Sequence, residues 1–204
     1  MVRALGFLYG VVSYVVFLVA FLYAVGFVGG MGVPRTVDAG GAESSLGAAI
    51  LINALLLGLF AVQHSVMARP QFKAVWTRVV PRSIERSTFV LLSSLILLLL
   101  YWQWRPMPEA VWTVESATGR LVLEILFWVG WGLVLMSTFL ISHFDLFGLR
   151  QVWLLVRQRD YEPLPFVIHS LYKIIRHPIM LGFLIAFWAT PDMTQGHLLF
   201  AVAT

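Results

Sequence analysis

The stretch Tyr172-Lys173-Ile174-Ile175-Arg176-His177-Pro178-Ile179-Met180-Leu181-Gly182 brings the most chemistry into the fewest residues. Pro178 suits the first turn of a helix, where its ring fixes φ and its missing N–H had no intrahelical partner to lose. His177 then stands at the cap of a helix whose unpaired amides attract a carboxylate or a phosphate. Arg176 adds a forked cation for the same anion. Gly182 lets a second backbone or a flat ligand come close. As bare chemistry this is an anion site at a membrane surface. Lipid phosphates would satisfy the same Arg and His, so the stretch also reads as an anchor for a helix.

Two further histidines close apolar runs. His64 shares one helical stripe with Asn53 and Phe60 to within about 20°. Polar side chains along one stripe of an apolar run point to a protein-facing seam. His64 there is either a base or ligand lining a cavity, or a headgroup-level imidazole bonded to a helix end. His143-Phe144-Asp145 places a carboxylate near an imidazole, the pairing that a general base requires. The plainer reading is a polar helix end with an Asp turn. Glu124 lies near the end of an apolar run, where snorkelling explains it.

Positioning these groups takes long apolar helices. The 204 residues are 60% hydrophobic and 12% charged, where a soluble domain carries about 25% charged residues. Most helix faces must therefore meet lipid or each other. The fold class expected is an all-α, polytopic transmembrane bundle of about five to six helices in a single domain spanning residues 1–204. A spanning helix needs about 20 apolar residues, and four segments qualify: 4–30, 46–64, 87–104 and 121–142. The first is too long for a signal-peptide core of about 7–15 residues. Trp102, Trp104 and Trp112 read as an interfacial belt. Residues 179–190 make a fifth, short apolar element of roughly 18 Å, ended by Pro191-Asp192, and a new apolar run starts at His197. This pattern reads as a helical hairpin. The absence of cysteine excludes disulfides, thiolate metal sites and a cysteine nucleophile.

Loop charges set the orientation. Arg69, Lys73, Arg78, Arg82 and Arg86 lie between the second and third spans, and Arg150, Arg157, Arg159, Lys173 and Arg176 follow the fourth. The opposite loops hold Arg35, Arg105 and Arg120. Ten basic residues against three put the N-terminus and both basic loops in the cytoplasm. Basic blocks between apolar runs account for the net charge of +4, so no nucleic-acid partner is expected; the lipid bilayer is. The composition leaves the oligomeric state open.

With Tyr172 four residues before it and Gly182 four residues after Pro178, Arg176-His177-Pro178 resembles the cofactor motif of the isoprenylcysteine carboxyl methyltransferase superfamily. Gln63-His64-Ser65-Val66-Met67-Ala68-Arg69-Pro70 with Phe72-Lys73, then Glu85-Arg86-Ser87-Thr88, and His143-Phe144-Asp145-Leu146-Phe147-Gly148-Leu149-Arg150-Gln151 are similar to segments of the bacterial methanethiol S-methyltransferases, in the NnrU-related branch. The resemblance runs from about residue 51 onward. It implies methyl transfer from S-adenosylmethionine (SAM) to a small volatile thiol, methanethiol, giving dimethyl sulfide. It further implies a multi-pass enzyme of the bacterial inner membrane with its site facing the cytoplasm. SAM would lie near Tyr172, Arg176, His177, Pro178 and Gly182, and no metal is called for. The superfamily often has Tyr two residues after the Pro and Gly two before the Tyr, where this chain has Met180 and Ser170. The family pattern continues into an acidic tail containing Glu-Glu-Arg, so the chain is expected to lack the C-terminal end of its domain.

The reaction implied by the resemblance needs a thiolate, and an alkyl thiol with a pKa of about 8.5 or above needs a base or a cation to form it near neutral pH. His64 and His143 have the intrinsic pKa for the base, about 6.5. Arg69 or Arg176 would stabilise the anion. Other readings are SAM-dependent transfer to another thiol or a carboxylate, and a haem-binding electron-transfer protein with pairs drawn from His64, His143, His169 and His177. Against haem, these histidines gather toward one face rather than opposing one another within the spans. A transporter fits the topology alone, but no charged residue stands at the middle of a span.

Overall fold

The computed structural model describes residues 1–164, 172 and 175–204. His169, Ser170 and Lys173 lie outside the described residues. The elements in chain order are α1 (Val2–Gly29), α2 (Leu46–Ala68), α3 (Pro70–Trp76), α4 (Arg82–Gln103), β1 (Ala110–Thr113), α5 (Ala117–Ile141), α6 (His143–Leu146), α7 (Leu149–Val156), α8 (Pro178–Trp188), β2 (Asp192–Thr194) and α9 (Gln195–Ala203). Helices α1, α2, α4 and α5 are long and apolar enough to cross a membrane. Even the 22 residues of α4 cover about 33 Å. The chain is an all-α membrane protein, and its four spans begin and end within a few residues of the sequence expectation.

The packing falls into two compact units. The first comprises Met1–Leu22, Gly58–Leu98 and Ile141–Val167. Its apolar centre is Met67, Phe89 and Val90, with Phe17, Phe72, Trp76, Leu92 and Phe147 packed against them. Gly6 and Gly10 leave a bare strip on α1 that α7 fills. A Cβ on Gly10 would stand 2.5 Å from Val152 Cγ2, and one on Gly6 would stand 2.8 Å from Leu155 Cδ2. Small residues spaced by four allow helices this approach in lipid. The turn between α6 and α7 carries Gly148 at φ +89°, where a Cβ would meet Ser87 Oγ at 2.6 Å.

The second unit comprises Tyr23–Leu57, Leu99–Leu140 and Ile168–Thr204. Phe27, Trp104, Phe187 and Phe200 form an aromatic core of edge-to-face pairs. Asn53, fully buried, clamps the end of α4: its amide donates to the Arg105 carbonyl at 2.8 Å and accepts from the Arg105 N–H at 2.9 Å. Helices α5 and α8 touch backbone to backbone. A Cβ on Gly130 would lie 2.6 Å from the Ala186 nitrogen, and one on Gly182 would lie 2.9 Å from the Gly130 oxygen.

Two features depart from expectation. An antiparallel ribbon joins β1 to β2, pairing Trp112 with Met193 and Thr113 with Asp192; it stands between α8 and α9 where a plain helical hairpin was expected. Trp104 is not part of an interfacial belt. It is 1% exposed, with its indole N–H donated to the Val37 carbonyl at 3.0 Å. Trp102 and Trp112 remain exposed.

Candidate functional site

His64 sits one turn before the end of α2, its ring stacked on Phe60 at 5.3 Å and tilted against Phe89 of α4 at 5.1 Å. Phe60 is four residues back on the same helix face, as the stripe predicts. The Ser93 hydroxyl donates its one proton to Gln63 Oε1 at 3.1 Å, and Gln63 Nε2 in turn donates to Met67 Sδ. Towards His64 Nδ1, 3.5 Å away, Ser93 is therefore left as acceptor. That arrangement puts the ring proton on Nδ1 and leaves Nε2 as the basic nitrogen.

His143 is buried in α6. Its Nε2 is 2.8 Å from the Tyr14 hydroxyl, and Phe147 closes over the ring at 4.8 Å. Burial holds its pKa below the ordinary imidazole value. The neighbouring carboxylate, which on one of two readings orients this ring, is directed elsewhere. Asp145 accepts from Arg150 at 3.0 Å, from Gln151 at 3.3 Å and from the Tyr161 hydroxyl at 3.2 Å. Residues two apart on a helix point about 200° apart, so His143 and Asp145 cannot share a face within α6. Asp145 instead organises the stretch after α7, where Arg150 lies over the Tyr161 ring and donates to the Glu162 carbonyl.

Arg69 is the N-cap residue of α3, exposed, with Pro70 after it. It belongs to the same unit as His64, but no side-chain bond ties it to that imidazole among the described residues. Arg86, one turn into α4, is closer to the chemistry. Its Nε donates to the Leu146 carbonyl at 2.6 Å, its guanidinium lies 5.0 Å over the Phe89 ring, and its charge acts on His64.

In the second unit, Pro178 opens α8 at its first position, fully buried. His177 is the N-cap, exposed, and makes no side-chain cap bond. Arg176 beside it is exposed, with no ion pair among the described residues. Tyr172 is half-buried, and burial pushes its phenol above its usual pKa. Gly182 lies against Gly130 and Val134 of α5; the close approach it allows is that of a backbone.

Sequence reasoning missed Tyr14 and underused Arg86. Tyr14 is one aromatic among many in an apolar span, and nothing local marks it. Arg86 entered as one charge of a basic loop and within the Glu85-Arg86-Ser87-Thr88 segment, with no role of its own, and packing is what separates it from its neighbours.

No family model and no solved structure matches the chain. Curated relatives do. The chain is 61% identical over 202 residues to the methanethiol S-methyltransferase of Mycobacterium tuberculosis, covering 99% of this chain and 82% of that protein. It is 56% identical to methanethiol S-methyltransferase 2 of Bradyrhizobium diazoefficiens, covering 96% and 75%. It is 50% identical to the methanethiol S-methyltransferase of Crocosphaera subtropica, covering 99% and 79%. With identity this high across nearly all of its residues, the chain belongs to the methanethiol S-methyltransferase family.

Proposed function

We propose that the chain is an S-methyltransferase that converts methanethiol to dimethyl sulfide at the cytoplasmic face of a bacterial inner membrane, with SAM as methyl donor. The observation that carries the reading is the open start of α8 in a chain of this family. Among the described residues the N-cap His177 gives the first-turn amides no side-chain acceptor, and Arg176 stands exposed beside them. Unmet donors with an adjacent guanidinium fit the carboxylate of SAM. When bound, SAM supplies a methyl group on a sulfonium, an electrophile that needs no further activation. Tyr172, Arg176, His177 and Pro178 would hold its amino-acid end. Gly182 contributes by letting α8 approach α5.

The protein's remaining task is to make a nucleophile. His64 is the preferred base, because its Nδ1 faces Ser93 and its Nε2 is the nitrogen left for a substrate. His143, buried and held neutral, is the second imidazole of this unit. Arg69, exposed at the start of α3, is a peripheral cation for an approaching thiol. The excess of basic residues in the loops around these groups supports a cytoplasmic site. Apolar helix faces suit a small uncharged thiol arriving from lipid.

The test supplies SAM and methanethiol to the purified protein and follows dimethyl sulfide in the headspace. Production dependent on both is expected. No dimethyl sulfide from a protein that binds SAM would overturn the acceptor, and no SAM binding would overturn the donor.

A further inference from the structure

Arg86 is a half-buried cation that forms no ion pair with its neighbouring carboxylates among the described residues. Glu85, beside it on α4, faces Lys73 of α3 at 3.9 Å. Asp145 of α6 is held by Arg150, Gln151 and Tyr161. The charges of Glu85 and Asp145 reach Arg86, yet neither carboxylate bonds it. Its one hydrogen bond among the described residues runs from Nε to the Leu146 carbonyl. That bond and the Phe89 ring beneath it fix the guanidinium plane and leave both Nη groups without a partner among the described residues. A partly desolvated cation in this state favours an incoming anion. His64 lies against the same Phe89 ring, 5.1 Å between centroids.

We propose that Arg86 is a catalytic residue of the thiol half-reaction: its Nη groups hold the methanethiolate sulfur while His64, which packs on the same Phe89 ring, takes the thiol proton. The proposal rests on the function proposed above. In that step the S–H bond breaks and its proton goes to Nε2 of neutral His64, which becomes imidazolium. The sulfur lone pair then forms the new bond to the methyl carbon. The bond from that carbon to the donor's sulfonium breaks, its electron pair staying on the donor sulfur, which becomes a neutral thioether. His64 returns its proton to water. A guanidinium suits this role because it remains charged at every working pH and its two forward N–H groups can hold one soft anion without competing for the proton. Arg69 lacks such placement.

The test compares Arg86→Met and Arg86→Lys with wild type on methanethiol and on methaneselenol, a more acidic acceptor of nearly the same size. SAM binding is measured by calorimetry, and thiolate formation by ultraviolet difference absorbance with methanethiol and no donor. Arg86→Met should lose on the order of 10²-fold in kcat on methanethiol, as when one oxyanion donor is removed, and less than tenfold on methaneselenol. Its SAM affinity should hold, its thiolate signal should vanish, and the acid limb of kcat/KM should move up by about 1–3 pH units. Arg86→Lys should fall between. Equal losses on both acceptors with an unmoved acid limb would reduce Arg86 to its structural bond with Leu146 and overturn the proposal. A loss confined to SAM affinity would also overturn it, reassigning Arg86 to the donor. Wild type failing to methylate either acceptor would instead strike the function it rests on.

Discussion

The Tyr14 hydroxyl of α1 lies 2.8 Å from Nε2 of His143 in α6, and the two rings meet edge to face at 83°. The contact joins residues 129 positions apart and fixes a buried imidazole from the far end of the chain. Tyr14→Phe keeps the ring and removes the hydroxyl, so a buried nitrogen loses a partner at about 1–3 kcal/mol. Thermal melting in detergent should show that loss together with a reduced kcat. Wild-type melting would mean the bond contributes nothing.

Burial lowers the pKa of His143 in the folded protein. Between that value and about 6.5 the unfolded chain binds more protons than the native state, so stability falls as pH drops through this window and levels off below it. His197, also lowered by burial, has the same sign; Asp38, raised by burial, has the opposite one. His143→Gln should make the melting temperature less dependent on pH between neutrality and the folded value. An unchanged slope would assign the effect to other groups.

His64→Ala should lower turnover of methanethiol by about 10²–10⁴-fold, the range for loss of a general base, with SAM affinity nearly intact. Normal turnover in this variant rejects the role. Ser93→Ala should cost far less, since it loosens the tautomer without removing the base.

Gly182→Ala drives a methyl group into the Gly130 oxygen and the Val134 nitrogen, both 2.9 Å from its Cβ position. Backbone cannot swing aside as a side chain does, so the variant should lose about 1–3 kcal/mol. Gly132→Ala, with open space at its Cβ, should melt like wild type. Equal melting of the two variants would refute the close crossing.

Gly148→Ala combines a left-handed φ with a clash against Ser87. The backbone term alone is about 1–3 kcal/mol. Because the same turn carries the Leu146 carbonyl that holds Arg86, activity should fall beyond what the melting shift implies. A proportionate fall would mean the turn acts through stability alone.

The spans were legible because lipid imposes one rule on any crossing helix, and α1, α2, α4 and α5 obey it. The β1–β2 ribbon was not, since its strands have four and three residues and lie about 80 positions apart. Type and spacing also marked the helix start at His177-Pro178, and the Phe60–His64 stripe. They left Asp145 open between orienting His143 and closing a polar helix end, and the direction in which a helix sends side chains two apart favours the second. Arg86 and Tyr14 gained meaning only from what folds against them, Phe89 and Leu146 for one and His143 for the other.

Helix α8 has 11 residues, a rise of about 16 Å. The ribbon at its far end bears the Arg120–Asp192 ion pair and the Gln195–Glu109 bond, groups that belong among lipid headgroups. Along its axis α8 is only about half as long as a hydrocarbon layer of about 30 Å is thick. Oil offers no acceptor to the first-turn amides of a helix, and among the described residues the N-cap His177 supplies none from its side chain. On the function proposed above, the polar end of the donor would meet those amides, and a helix this short would bring them nearer the thiol than a full-length span could.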